Sequence, residues 1–309
     1  MKSFYSQLLL PTLMSGKEFF VNRYRQLGWE FVNAEPRRAI RINASNAKGK
    51  NLVERLRRAG VQLERVPFLE KGYWVGISKV SVGATAEYLL GLYSIQEAAA
   101  QIPARLFTAL KNKTVLDACA APGGKTVQLA DLMENTGAIV ALDVQKRRLA
   151  ALANHLERCH VSNAAVYHLD ARQASRLNLK FTRILLDVPC SGNFASDNSW
   201  FKRRTIRDVE RNAQVQRELL TAVAACLSDD GELVYSTCSL EPEENELNMD
   251  WAVKHLNLQI EEVNCFGQKG LAEVFGKSLN TSVESCRRIW PAETQGFFVC
   301  KLKKLGSKQ

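Results

Sequence analysis

Two cysteines and one glycine-rich turn carry the residue types from which chemistry can be built. Cys190 sits in Asp187-Val188-Pro189-Cys190-Ser191-Gly192, and Cys238 in Tyr235-Ser236-Thr237-Cys238-Ser239. Each follows an apolar run, Arg183-Ile184-Leu185-Leu186 and Glu232-Leu233-Val234, that reads as a buried strand. Ligands of open α/β sheets bind outside the carboxyl ends of the strands, so two thiols delivered to that edge are placed for chemistry. Upstream, Asp117-Ala118-Cys119-Ala120-Ala121-Pro122-Gly123-Gly124-Lys125-Thr126 reads as a strand-to-helix turn. Its glycines let the backbone approach a ligand, and the helix N-terminus offers amide donors. The turn is neither Gly-x-Gly-x-x-Gly nor Gly-x-x-x-x-Gly-Lys. Asp143 ends the next strand, where a carboxylate can take both ribose hydroxyls of an adenosine. Asp170 follows the third strand and could accept from an adenine amino group. Alone, either aspartate reads as a helix cap. Together, in phase with the strands, they read as a nucleotide-like cofactor site beside a thiol nucleophile.

The elements that must position these groups are legible as a pattern. From Lys113 onward strands and helices alternate, which predicts a mostly parallel sheet. Strands are expected at 114–117, 138–142, 164–168, 181–187, 232–236, 258–263 and 296–302. Helices are expected at 124–133, 145–159, 204–227 and 243–255. The N-terminal part reads differently, with a helix within 1–30, a strand at 39–43, a helix at 50–59 stopped by Gly60, and strands at 61–66 and 73–77. That order predicts a small α+β unit. The basic tail 301–309 is expected to be loose. The reading divides the chain at residue 105, with the α+β unit in 1–105 and the α/β unit in 106–309.

The 309 residues allow about two domains. No apolar run approaches the length of a membrane helix. The N-terminal apolar stretch is broken by Gln7 and Pro11 and does not make a signal peptide. The expected location is the cytoplasm, or the nucleus, nucleolus or an organelle in a eukaryotic cell. The eight cysteines form no Cys-x-x-Cys pair and only four histidines are present, so neither a zinc site nor a disulfide framework is expected. Most of the thiols, Cys226 above all, read as small buried hydrophobes. Of the net charge of +10, residues 1–110 carry +8, from 16 Lys+Arg against 8 Glu and no Asp. A basic part beside a near-neutral part points to a polyanion-binding module on a catalytic body.

These motifs resemble those of the S-adenosylmethionine-dependent RNA cytosine-C5 methyltransferases. The resemblance rests on the turn 117–126, on 187–192, on Tyr235-Ser236-Thr237-Cys238-Ser239-Leu240-Glu241-Pro242-Glu243-Glu244-Asn245-Glu246, and on Gln295-Gly296-Phe297-Phe298-Val299-Cys300-Lys301. It covers residue 90 to the end well, and the unit around Arg41-Ile42-Asn43 less specifically. It implies a Rossmann-like methyltransferase fold with a mostly parallel seven-stranded sheet, preceded by a small RNA-binding module. It implies Cys238 as the nucleophile at cytosine C6, with Cys190 assisting proton removal or release of the RNA. It implies cofactor contacts from Cys119, Ala120, Ala121, Pro122, Gly123, Gly124, Lys125, Asp143, Asp170 and Asp187, with no metal. Lys125 could also face the target base. The expected partner of a monomeric enzyme is structured RNA, with tRNA preferred over rRNA. The alternatives are a methyltransferase for another substrate and a non-catalytic RNA-binding assembly factor. Ala98-Ala99-Ala100 and Asn193-Phe194-Ala195 depart from the family pattern without removing a catalytic group.

Overall fold

The computed structural model describes residues 15–43 and 51–306. Helix α1 (Gly16–Gln26) leads into a four-stranded antiparallel sheet of β1 (Ala39–Ile42), β2 (Val61–Arg65), β3 (Gly72–Ser78) and β4 (Tyr93–Ile95), in the order β2-β3-β1-β4. Helix α2 (Leu52–Arg58) lies between β1 and β2 in the chain and ends where Gly60 takes φ +86. Its Leu52 and Leu56 share a buried cluster with Ile40, Val61, Leu63 and Tyr93. A short helix, α3 (Ala86–Leu89), precedes β4.

The second sheet begins at β5 (Thr114–Asp117), followed by α4 (Gly124–Leu132), β6 (Ala138–Asp143), α5 (Lys146–Arg158), β7 (Ala164–His168) and β8 (Phe181–Asp187). Then come α6 (Trp200–Arg203), α7 (Ile206–Cys226), β9 (Leu227–Thr237), α8 (Glu246–His255) and β10 (Leu258–Glu261). Four short strands, β11 (Gln268–Lys269), β12 (Glu273–Val274), β13 (Lys277–Ser278) and β14 (Arg287–Ile289), precede β15 (Phe297–Lys304). The order is β11-β14-β15-β9-β8-β5-β6-β7, with β10 also paired to β15 and with β12-β13 a separate hairpin. Strands β7, β6, β5, β8 and β9 are parallel, and β15 joins β9 antiparallel. This is a Rossmann-like sheet, as the resemblance implies. The seven expected strands are all present, and β11 and β14 widen the sheet to nine. The chain leaves β5 for β6 and β7 on one side and returns to β8 on the other. The switch point therefore lies between β5 and β8.

The inner parallel strands β5, β6, β8 and β9 are largely buried on both faces, which is why they read as continuous apolar runs, while β7 is a half-exposed edge strand. Leu116, Leu186 and Tyr235 join one core with Leu220, Val223 and Cys226 of α7. Val115, Leu185 and Val234 join the other with Leu129 of α4 and, from the first sheet, Ala39 and Trp74. The N-terminal sheet thus packs into the second core. Helix α7 opens on a capping box between Thr205 and Asp208, which satisfies orphan amides at its first turn.

Two expectations about charge change. Three of the N-terminal arginines are struts. Arg23 pairs with Glu241 and Glu243, Arg37 with Glu64 and Glu293, and buried Arg41 hydrogen-bonds Gln96 and lies 3.7 Å from Asp131. The basic tail is ordered through Lys304, because β15 continues there and Lys301 is clamped by Glu232 and Glu261, each at 3.2 Å. Of the helix expected within 1–30, Gly16–Gln26 is seen, and 1–14 lie outside the described residues. Among the described residues no helix is long and apolar enough to cross a membrane.

Candidate active site

The glycine-rich turn leaves β5 at Asp117 and enters α4 at Gly124. Its backbone is pinned on both sides, with Ala118 N donating to Leu185 O and Ala120 N to Leu142 O. The Ala121–Pro122 peptide is cis, and Gly123 takes φ +102, a conformation that strains any residue bearing a Cβ. Two cavities flank the turn. One, of about 220 Å³, is lined by Cys119, Ala121, Asp143, Asp170 and Asp187, and closed by Val215 and Leu219 of α7. The other, of about 190 Å³, is lined by Asp117, Ala120, Pro122, Gly124, Lys125 and His155. Cys119, Ala121 and Asp187 belong to both. Every cofactor contact expected from the sequence lines one of them except Gly123. A Cβ there would meet Leu152 and His155, so Gly123 shapes the turn from behind.

The carboxylates differ in their partners. Asp143 accepts from Ala121 N at 3.3 Å and Gln145 N at 2.8 Å, with Arg148 at 3.4 Å. Asp170 caps the short 3-10 segment 171–177 through Arg172 N, and its Arg172 ion pair holds its carboxyl below the usual range. The bland cap reading and the cavity-lining reading are therefore both realised. Asp117 is not among the contacts expected from the sequence. Its Oδ2 accepts from Thr126 at 2.7 Å, while buried Oδ1 has no hydrogen-bond partner. Burial pushes its pKa up to about 7. His155 donates toward Pro122 O, and burial lowers its pKa to about 4, so it is neutral.

The thiols converge because of strand register. Parallel β8 and β9 place Asp187 opposite Ser236, so the turns that follow carry Cys190 and Cys238 to the same spot. Their Sγ atoms lie 3.0 Å apart, and both are free and half-buried. The Cys190 thiol is held well above its ordinary pKa, first by its hydrogen bond to Cys238 and then by burial. Either thiol can donate in this contact, and the shift means that Cys190 holds its proton more tightly than a free cysteine does. Asp187 accepts from Lys125 Nζ at 2.7 Å and from Ser236 Oγ at 2.6 Å. Burial alone would lower the Lys125 pKa, but Asp187 and the neighbouring Cys238 more than offset it, so the ammonium stays charged beside the thiols.

A polar frame underlies the pair. Asn193 Nδ2 donates to Cys238 O at 2.7 Å and to Gly296 O at 3.1 Å. The departure from the family pattern at Asn193 thus ties one thiol turn to the other. Trp200 Nε1 holds Ser191 O at 2.8 Å. The acidic run after Cys238 is buried and partnered. Glu241 meets Tyr24 and Arg23, Glu244 meets Ser191, Ser239 and Gln216, and Glu246 meets Arg288. In the other departure, Ala98 and Ala99 are core residues. Among the described residues no group of three or more His, Cys, Asp or Glu could hold a metal ion.

A family model described as 16S rRNA methyltransferase RsmB/F matches residues 104–303. A second, for the N-terminal domain of 16S rRNA methyltransferase RsmF, matches 17–98. A 28S rRNA (cytosine-C(5))-methyltransferase of Mus musculus is 35% identical over 278 residues, 87% of this chain and 35% of that protein. Ribosomal RNA small subunit methyltransferase F of Aeromonas hydrophila is 34% identical over 308 residues, 96% of this chain and 62% of that protein. The chain thus spans less than two thirds of the length of either curated relative. A methyltransferase homologue from Pyrococcus horikoshii, of known crystal structure, matches with a TM-score of 0.86 at 34% identity, over 99% of this chain and 100% of that one.

Proposed function

The chain belongs to the RsmB/F methyltransferase family, and from that premise we propose that it methylates C5 of a cytosine in structured RNA. The observation that carries the proposal is the pair of free thiols 3.0 Å apart beside the two cavities at the switch point. The residues fit S-adenosylmethionine. The orphaned Oδ1 of Asp117 is a buried acceptor that suits an ammonium group. Asp143 and Asp170 suit ribose and adenine, and Val215 and Leu219 supply an apolar wall. When bound, this cofactor would supply an electrophilic sulfonium methyl.

Cytosine C5 is a poor nucleophile until a thiolate adds at C6. Cys238 is the proposed nucleophile, and the Lys125 ammonium lies beside it. The addition makes C5 enamine-like. After C5 is methylated, a base takes its proton, the C5–H electron pair re-forms the C5–C6 double bond, and the C6–S bond breaks with its own pair leaving on Cys238 as thiolate. Cys190, protonated and 3.0 Å away, is placed to assist that release. Asp187 holds Lys125 at the junction of cofactor and base. The reacting base is recessed, so it must come from a loop or be flipped out of its stack.

Residues 1–105 are proposed to hold the RNA and 106–309 to carry the chemistry. The names of both relatives specify rRNA, which moves the weight to rRNA from the tRNA preferred on sequence. A monomer is the proposed working unit. A bacterial enzyme of this kind would work in the cytoplasm, and a eukaryotic one in the nucleolus. The test is transfer of labelled methyl to unmodified rRNA and tRNA by wild type, Cys238→Ala and Cys190→Ala, with product nucleosides identified by mass. The expected result is 5-methylcytidine from wild type alone, and a denaturation-resistant RNA adduct that accumulates with Cys190→Ala. Methylation unaffected by Cys238→Ala would overturn the thiol mechanism.

A further inference from the structure

A buried carboxylate that the proposed chemistry does not use stands between the two thiol turns. Glu244 accepts from Ser191 N at 3.0 Å and from Ser239 Oγ at 3.0 Å, and these two residues directly follow Cys190 and Cys238. It also accepts from Gln216 Nε2 at 2.7 Å. Gln216 in turn grips both motifs on their other side. Its Nε2 donates to Pro189 O at 3.0 Å, and its Oε1 accepts from Tyr235 OH at 3.0 Å. The Glu244–Gln216 pair therefore binds the residue before and the residue after Cys190, the residue after Cys238, and the strand that delivers Cys238.

We propose that Glu244 is a positioning residue that sets the distance and angle between the Cys190 and Cys238 thiols. The inference rests on the reading above for its catalytic meaning, but the spacing itself does not depend on any RNA. Sulfur atoms on two separate turns have no covalent reason to sit 3.0 Å apart. Ser191 Oγ meets Ser239 Oγ at 3.1 Å and Asn193 Nδ2 reaches Cys238 O, and the Glu244 carboxylate, holding Ser191 N and Ser239 Oγ together, braces those direct contacts. The geometry also separates shape from charge. Glu244 Oε2 receives both N–H donors at the shorter distances, while Oε1 faces the Ser239 hydroxyl, which can donate or accept, and takes only a longer second contact from Ser191 N at 3.3 Å. A glutamine can therefore keep its oxygen on the N–H side and donate its amide to Ser239, as a protonated carboxyl would.

The test is oxidation of the free enzyme by diamide, which takes two electrons and two protons from a thiol pair and leaves a disulfide. The yield of peptides linked through Cys190 and Cys238 is followed in time by mass spectrometry. Wild type should link rapidly. Glu244→Ala should link at least about tenfold more slowly, since a displacement of about 1 Å is enough for losses of that order. Glu244→Gln should restore most of the rate. Ser239→Ala, which keeps both N–H donors but removes the hydroxyl's ties to Glu244, Ser191 and Glu241 N, should fall between, and it serves if Glu244→Ala does not fold. In methyl transfer the same order should appear in kcat, with KM for RNA unchanged. Folded Glu244→Ala linking at the wild-type rate, or Glu244→Gln as slow as the alanine variant, would overturn the proposal. If Ser239→Ala is the variant that folds, its linking at the wild-type rate would do the same. Failure of wild type to methylate RNA would instead overturn the functional reading and leave the linking rates to decide this one.

Discussion

Replacing Arg288 by leucine should unfold much of what holds the Cys238 turn. Arg288 is 1% exposed and Glu246 is fully buried. The guanidinium donates Nε to Glu246 Oε1 at 2.8 Å and Nη2 to Oε2, so the pair is bidentate. Its third edge donates Nη1 to Leu240 O at 2.6 Å, two residues beyond Cys238. Leucine would leave Glu246 with one long contact, from Leu271 N at 3.4 Å, and would orphan a buried carbonyl. Breaking a buried pair from one side costs about 3–5 kcal/mol, and the orphaned carbonyl adds about 1 kcal/mol. Against a total stability of about 5–15 kcal/mol that is a large share. The assay is denaturant unfolding of wild type, Arg288→Leu and Arg288→Leu with Glu246→Leu. The double variant should recover most of the loss, because two apolar groups of similar size leave no uncompensated charge. A single-variant loss below about 1 kcal/mol, or a double variant at least as unstable as the single, would refute the reasoning.

Two further predictions concern pH and backbone. Burial raises Asp117, Glu241 and Glu244 from ordinary carboxylate values to about 7 each. The folded state then holds protons that the unfolded chain releases above its own carboxylate pKa, so stability should rise as pH falls from about 7 to 5. The slope is at most about 1.4 kcal/mol per pH unit per group. Denaturation midpoints across that range check this, Glu244→Gln should flatten the slope, and a midpoint that falls with acidification from pH 7 to 5 would sink it. Separately, Gly123→Ala should cost about 1–3 kcal/mol for a side chain at φ +102, and it should weaken S-adenosylmethionine binding in calorimetric titration by shifting the turn. Wild-type stability and affinity together would contradict the assigned strain.

What the sequence disclosed and what it hid divide along one physical line. Strands β5, β6, β8 and β9 were legible because burial on both faces leaves apolar runs, and the thiols were legible because each follows such a run. Register was not. Nothing local says that Asp187 pairs with Ser236 rather than with a neighbour two residues away, yet that pairing brings the sulfur atoms to 3.0 Å. β4 escaped notice because three residues between Gly91 and Gln96 cannot display an alternation. Val215 and Leu219 were hidden inside the apolar stripe of α7, where a cavity wall and a core residue look alike. A signal was present on the same helix. Gln216 is the polar member of a buried row with Val209, Ala213, Leu220 and Val223, and a buried amide has to be serving partners elsewhere.

The acidic run after Cys238 is the deepest case. Composition assigns Glu241, Glu243, Glu244 and Glu246 to solvent, because glutamates are rarely buried without a partner. Each has one, but the partners come from α1, from the Cys190 turn, from α7 and from β14, between 5 and 220 residues away in the chain. The basic surplus of the N-terminal part supplies one of them, since Arg23 spends its charge on Glu241 and Glu243 instead of on a phosphate. A charge excess that reads as a polyanion surface is thus partly internal wiring. Arg38, Arg65 and Lys79 are exposed, and the proposed RNA-holding role of residues 1–105 would draw on such groups. The same buried carboxylates that make the motif unreadable as surface make it rigid, and rigidity is what two thiols on separate turns need if one is to attack and the other to assist.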